Sequence, residues 1–118
     1  MQMIFTYDFA TINDKVPMIE FLDSLAVKER AKVLAYIDKL IELKNNRIQP
    51  KENLSKNIRD GIFELRVSFD NRIARSFYFY ESNAKIIFTH GFIKKEQKTP
   101  DNEIEKAILI RKVFRGEK

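Results

Sequence analysis

Six cationic side chains fall on or next to one group of three predicted strands in the second half of the chain: Arg66, Arg72, Arg75, Lys94, Lys95 and Lys98. Guanidinium and ammonium groups bind phosphate and stabilise the negative charge that develops on it during phosphoryl chemistry. Neighbouring strands of a sheet lie about 5 Å apart, so side chains that are distant in sequence can meet on one surface. The pattern therefore predicts a phosphate-binding surface.

The two arginines in adjacent predicted strands carry most of this prediction. Arg66 shares the parity of Glu64 in its strand and so points away from the main core. Arg75 shares the parity of Phe77, which turns its guanidinium toward the core unless a bulge resets the register or that side of the sheet is partly open. Because a buried guanidinium without a partner is costly, Arg75 is either a functional residue or part of a structural ion pair with Glu64 or Glu81.

The basic residues at the strand ends have two interpretations. Lys94, Lys95 and Lys98 follow the last predicted strand, and Arg72 begins the strand before it. Charge clusters are usually solvated, and such lysines then keep a sheet edge soluble. The phosphate-binding alternative rests on the coincidence of basic segments before, within and after one predicted sheet.

The aromatic rings and the single histidine also have two interpretations each. His90 shares the parity of Phe88 and Phe92, and it is either a hydrogen-bonded structural residue or a catalytic one. Since it is the only histidine, a ribonuclease that uses two histidines as acid and base is excluded. Tyr78 and Tyr80 face the other way in their strand from the arginine, and they either pack in the core or stack on a nucleobase.

Composition and charge limit the class of protein. The chain has 118 residues, of which 44% are hydrophobic, so we expect one folded domain over residues 1–118. Its net charge of +5 favours an anionic partner, either nucleic acid or an acidic protein. Cysteine, phosphate-binding loops and dinucleotide motifs are absent, and we expect neither a metal nor a small-molecule cofactor. No apolar run reaches the roughly 20 residues of a membrane helix, and no signal peptide is recognisable, which predicts a cytoplasmic protein.

The apolar periodicity predicts an α+β fold with the order β-α-α-β-β-β-α. An N-terminal strand over residues 3–9 precedes a helical hairpin, and a polar connection follows over residues 44–60. The second helix of the hairpin covers residues 27–43, and its buried stripe comprises Leu34, Ile37, Leu40 and Ile41.

A three-stranded antiparallel meander is predicted next, over residues 61–67, 72–80 and 85–92. Its first strand alternates apolar and polar residues, which is typical of a strand buried on one face. We then expect a C-terminal helix with Thr99 as its N-cap and Pro100 at its first position, ending near Phe114.

Three segments of the meander and of the helix after it resemble the RelE/ParE toxin superfamily: GIFELRV, RSFYF and FTHGFIKKEQKTPDNEIEKA. Within that superfamily they are most similar to the HigB-like branch, the phage Gp49-like group. The resemblance extends over most of the chain and includes the predicted order of elements. Its specific part is residues 61–107, because short pieces such as ELR or KK alone mean little.

This resemblance implies the toxin of a type II toxin–antitoxin pair. Toxins of the RelE and HigB branches enter the ribosomal A site and cleave the mRNA there, as endoribonucleases that need no metal. The nucleophile is the 2′-hydroxyl of the RNA itself, and basic side chains on the sheet hold the scissile phosphate. A small helix-turn-helix antitoxin neutralises such toxins, so the implied partners are this antitoxin, the ribosome and mRNA.

The resemblance also assigns roles to individual positions. Arg66 matches the arginine of the ELR strand, Arg75 the arginine before the aromatic strand centre, and Lys98 the lysine of the KTP motif. Lys94 and Lys95 match the KK pair. The residues expected to be catalytic are Arg66, Arg75, Lys95 and His90, and those expected to bind RNA phosphate are Arg72, Lys94 and Lys98. The proton acceptor is either His90 or a lysine whose pKa is lowered within a cation cluster.

Two other functions remain open at this point. A toxin of the ParE branch inhibits DNA gyrase by binding and does not cleave RNA. A non-catalytic module uses its basic face only to dock an acidic antitoxin or to regulate an operon. Two arginines on adjacent strands favour chemistry, because docking does not require them to converge.

Overall fold

The structure, a computed structural model, describes residues 4–94 and 98–117. Its elements in chain order are β1 (Thr6–Phe9), α1 (Pro17–Asp23), α2 (Val27–Asn45), β2 (Ser55–Arg59), β3 (Ile62–Ser68), β4 (Ile73–Glu81), β5 (Lys85–Lys94) and α3 (Asp101–Phe114). The fold is a small α+β domain, as the sequence predicts, with three helices and a five-stranded mixed sheet across the described residues. No helix in that part of the chain is long and apolar enough to span a bilayer.

The strands form one sheet in the order β1-β5-β4-β3-β2. β1 pairs with β5 in parallel, and the other neighbours pair antiparallel. The predicted N-terminal strand and the predicted three-stranded meander are confirmed.

Strand β2 corrects the sequence prediction, which placed residues 44–60 in a polar connection. The apolar pattern is weak there because β2 has a single apolar residue, Ile58, and lies at the edge of the sheet. Pairing with β3 and the turn at Asp60 and Gly61 stabilise it instead, and both turn residues have a positive φ, 53° and 78°. An Asp-Gly pair between two short runs is a hairpin signal, so the sequence did carry a sign of this strand.

Helices cover both faces of the sheet. α1 and α2 pack on one face against a cluster that includes Leu65, Val67 and Phe88, and α3 packs on the other against Ile62 and Phe77. The predicted burial of the 61–67 strand on one face only is therefore wrong. Alternation within a strand cannot reveal a covering helix that begins some forty residues later in the chain.

The buried stripe of α2 differs slightly from the prediction. Ile37 and Leu40 are buried as expected, and Val33 is buried with them. Leu34 and Ile41 are only half-buried at the edge of the same cluster. The helix is thus rotated slightly from the orientation that the sequence pattern predicts.

A bulge in β5 changes which way His90 points. Ser76 of β4 lies opposite Gly91, and Tyr78 lies opposite Phe88, so β5 takes three steps where β4 takes two. Phe88 belongs to the cluster under α1 and α2, whereas His90 reaches Glu103 of α3. The prediction that His90 and Phe88 share a face is therefore wrong. The extra residue in the bulge reverses the alternation of side chains between the two faces of the sheet.

The start of α3 also differs from the prediction. Pro100 is the N-cap, and the first helical residue is Asp101. The Thr99 hydroxyl does not cap the helix, because it donates a hydrogen bond to Oε2 of Glu64 at 3.0 Å. A buried carboxylate thus takes the donor that the sequence pattern assigned to the helix end.

Gly91 provides a test of this packing. A Cβ at Gly91 would overlap the ring of Phe21, so Gly91→Ala is expected to lower the free energy of unfolding by about 1–3 kcal/mol. Shortening the ring in the same chain, as Gly91→Ala with Phe21→Leu, relieves the overlap. Urea denaturation should then show a smaller loss in the double variant than the two single losses together, and simple additivity would contradict this packing.

Candidate active site

Arg66 and Arg75 are direct neighbours across β3 and β4. The two strands pair in continuous register, so their side chains at paired positions point to the same side. Both arginines contact Glu64, which lies two residues before Arg66 and shares its face. The sequence alone does not decide which face of the sheet Arg75 lies on. The structure places Arg75 beside Arg66.

Glu64 is the centre of this group. Its side chain is 0% exposed, and its Oε1 accepts hydrogen bonds from Nε of Arg66 at 3.0 Å and from Nη1 of Arg75. Its Oε2 accepts from the Thr99 hydroxyl. The structural ion pair of Arg75 with Glu64 is thus present, whereas Glu81 pairs with Arg115 at 2.9 Å instead. Among the described residues, this group thus contains two guanidinium groups and one carboxylate, which is an excess of positive charge.

The two arginines differ in exposure. The side chain of Arg75 is 5% exposed and that of Arg66 is 26% exposed. Nε of Arg75 is buried and finds no hydrogen-bond acceptor among the described residues. A ligand in solvent can therefore contact Arg66 directly. Arg75 contributes its charge from the buried side of the group, and its Nε–H has no acceptor among the described residues.

Two lysines extend the group. Burial lowers the pKa of Lys94, and the positive charges of Arg75, Arg66 and Lys56 lower it further, against an opposing effect of Glu64. Lys56 of β2 lies opposite Glu64, which places it on the same face of the sheet. We call Arg66, Arg75, Lys94 and Lys56 the cationic cluster. The sequence pattern does not predict Lys56 as a member, because residues 44–60 have the pattern of a polar connection rather than of a strand.

One predicted site residue, Arg72, lies apart from the cationic cluster. Arg72 makes a bidentate ion pair with Glu29 of α2, at 2.6 and 2.7 Å from Nη2, on the opposite face of the sheet from Arg75. Lys98 is exposed, one residue before Thr99. Lys95 lies outside the described residues and stays a prediction from the sequence.

His90 lies between the sheet and α3. It is 1% exposed, with Nε2 at 3.2 Å from Glu103 Oε1 and Nδ1 at 3.1 Å from the Thr89 hydroxyl. Glu103 favours a charged ring, but burial and the charge of Lys106 outweigh it and lower the pKa of His90 to about 3. The ring is therefore neutral near pH 7, and its contacts favour the structural interpretation over the catalytic one.

The central role of Glu64 predicts an unusually costly substitution. Glu64→Gln leaves two adjacent guanidinium groups without a counter-charge, and we expect a loss of about 3–5 kcal/mol in the free energy of unfolding. Glu81→Gln is the matched control, because Glu81 holds one arginine at a partly exposed site, where the loss is expected to be about 1 kcal/mol or less. Equal losses in urea denaturation would show that Glu64 does not hold the cluster together.

The burial of His90 predicts a pH dependence of stability. Its pKa is lowered from the usual 6.5 to about 3, so below pH 6.5 the unfolded chain binds a proton that the folded chain does not. Stability should therefore fall as the pH drops from about 6.5 to about 5, by up to about 1.4 kcal/mol per pH unit. His90→Gln should flatten the curve in this range, and an unchanged slope in that variant would exclude His90 as its source.

Comparison with known proteins assigns a family. Residues 20–112 match the model of the phage derived protein Gp49-like family (DUF891). No curated protein matches the chain. Proteins of this family are commonly toxins of toxin–antitoxin pairs, and the family is associated with toxin endoribonuclease activity in general. All four members of the cationic cluster fall inside the matched residues. The chain belongs to the Gp49-like family of the RelE/ParE-like toxin superfamily.

Proposed function

We propose that this protein is a type II toxin that cleaves mRNA on the ribosome and so inhibits translation. One observation carries the proposal: Glu64 holds two arginines side by side on one face of the sheet, and two lysines share that face. The excess positive charge suits a phosphodiester. A gyrase inhibitor or a docking module does not require a buried carboxylate that holds two guanidinium groups next to each other.

The reaction follows from RNA chemistry. The 2′-hydroxyl attacks the adjacent phosphorus, the bond from phosphorus to the 5′ oxygen breaks, and a 2′,3′-cyclic phosphate and a 5′-hydroxyl result. The 2′-hydroxyl loses a proton, and the departing 5′ oxygen gains one. Negative charge builds up on the phosphorane oxygens between these events. We assign the donation of hydrogen bonds to those oxygens to Arg66, because it is the more exposed arginine, with Arg75 strengthening the local field.

Lys94 is the proton acceptor that we propose. Burial and its cationic neighbours lower its pKa, which raises the neutral fraction of its amine at physiological pH. The oxygens of Glu64 are already engaged by Arg66, Arg75 and Thr99, so they are poorly placed to take a further proton. His90 is turned toward Glu103 and α3.

The proposed partners follow from charge and from the family. Ribosomal RNA and mRNA are polyanions, and a chain with a net charge of +5 is attracted to both. A helix-turn-helix antitoxin would neutralise the toxin in the cytoplasm by covering the basic face.

Arg66→Gln tests the proposal with the least risk to the fold, since Arg75 is too deeply buried for a clean substitution. Loss of one donor to the phosphorane is expected to slow the cleavage of ribosome-bound mRNA about 10²- to 10³-fold and to abolish growth arrest. Arg72→Gln is the matched control, because its ion pair with Glu29 lies apart from the cluster. It should cleave like the wild type.

The readout is induced expression followed by mapping of mRNA 5′ ends. New ends inside translated frames, lost in Arg66→Gln and retained in Arg72→Gln, are the expected result. Growth arrest with inhibited DNA supercoiling and without new 5′ ends would instead identify a gyrase inhibitor. Expression without growth arrest would identify a non-catalytic module.

A further inference from the structure

A polar cleft opens at the edge of the sheet, mostly on the face opposite the arginines. It has a volume of about 150 Å³ and lies between the end of α2 and the edge strand β2. Its walls carry three aromatic rings, Phe63, Tyr78 and Tyr80, together with Lys44 and Asn57. The mechanism above uses none of these residues.

The rings of this cleft form an ordered aromatic wall. Phe63 and Tyr78 stack with their centroids 5.4 Å apart and their planes 19° apart, and Tyr80 meets Phe63 edge-on at 5.0 Å. The ammonium group of Lys44 lies 5.0 Å from the ring centroid of Tyr80, and the buried Ser55 hydrogen-bonds the Tyr78 hydroxyl. Phe63, Tyr80 and Lys44 are only half-buried, so their surfaces are accessible from the cleft.

We propose that this cleft binds one pyrimidine base of single-stranded RNA, next to the phosphate held by the cationic cluster. Aromatic rings flanked by cations and amides are how proteins bind unstacked bases, with the rings stacking and the amides reading the base edge. The space of about 150 Å³ in the cleft is sufficient for one six-membered ring, the size of a pyrimidine base. The inference rests on the proposed function, since it assigns a subsite to the same substrate.

Strand β2 connects the two sites. Ser55, Lys56 and Asn57 of this strand all line the cleft, and Lys56 also lies opposite Glu64 and acts electrostatically on Lys94. β2 is the edge of the sheet, and Arg66 stands on the next strand, about 5 Å further in. An RNA chain that passes over this edge can therefore place a phosphate on one face and the neighbouring base on the other.

Charge and polar groups at the rim fit such a ligand. Lys44 and Lys56 outnumber Glu52, which leaves the rim positive for a phosphate backbone. Gln49 and Asn57 are exposed and offer amide donors and acceptors to the edge of a base.

Nucleosides carry no phosphate, so they test the subsite apart from the phosphate contacts proposed for Arg66 and Arg75. In an NMR titration of the intact chain, cytidine should shift the amide signals of Phe63, Asn57 and Tyr80 and should bind more tightly than adenosine. Inorganic phosphate should instead shift the signals of Arg66 and Arg75. Lys44→Ala and Asn57→Ala should each weaken cytidine binding about fivefold. The matched control Lys39→Ala removes an exposed lysine of the same helix outside the cleft and should leave binding unchanged.

The outcomes separate this inference from the proposed function. Failure of cytidine to shift the cleft signals, or equal binding of both nucleosides, overturns the pyrimidine subsite even if the protein cleaves mRNA. Selective cytidine binding that Lys44→Ala weakens supports the subsite even if no mRNA is cleaved, in which case the proposed function fails alone.

Discussion

Two guanidinium groups share one carboxylate that has no contact with solvent, and the rest of the site depends on this arrangement. Removing a carboxylate from water is costly, and Glu64 is stable in its position because Arg66, Arg75 and Thr99 all donate to it. Those three donors come from β3, from β4 and from the segment before α3. The same interaction therefore aligns two strands, brings the last helix onto the sheet and, among the described residues, joins two guanidinium groups to a single carboxylate.

The position of α3 decides which part of this face becomes a site. Its apolar residues cover Ile62, Phe77 and Phe79, and Glu103 in its first turn is bound to His90. Another acid of that turn, Asp101, lies 4.0 Å from Arg59. Because these acidic groups have partners of their own, the helix seals the core without neutralising the cationic cluster beside its first residues.

The regular strands were the predictable part of the molecule. The alternation of side chains along a strand predicts that Arg66 shares a face with Glu64 and that Arg75 shares a face with Phe77. In the structure, all four residues lie on the same face of the sheet. The same alternation separates Arg72 from Arg75, which are three residues apart, so the sequence itself indicates that Arg72 does not belong with the other strand cations. The family resemblance added specific roles to Lys94, Lys95 and Lys98, which composition alone would class as solvated.

The missed features share a physical cause, namely interactions between distant segments. β2 forms through backbone pairing and an Asp-Gly turn, so its single apolar residue did not reveal it, and Lys56 was missed with it. His90 changed face because of a bulge, which depends on how β5 fits β4. Thr99 carries a good capping side chain, but a buried carboxylate 35 residues earlier competes for its hydroxyl.

The most direct test of the phosphate-binding cluster is the salt dependence of RNA affinity. A short single-stranded RNA with 2′-O-methyl groups cannot be cleaved, so its equilibrium binding can be measured over a range of salt concentrations. If Arg66 contacts a phosphate, Arg66→Gln should lower the slope of log affinity against log salt by about 0.7, while Arg72→Gln should leave the slope unchanged. An unchanged slope in Arg66→Gln would contradict the account, because the two arginines would then be a structural ion pair and nothing more.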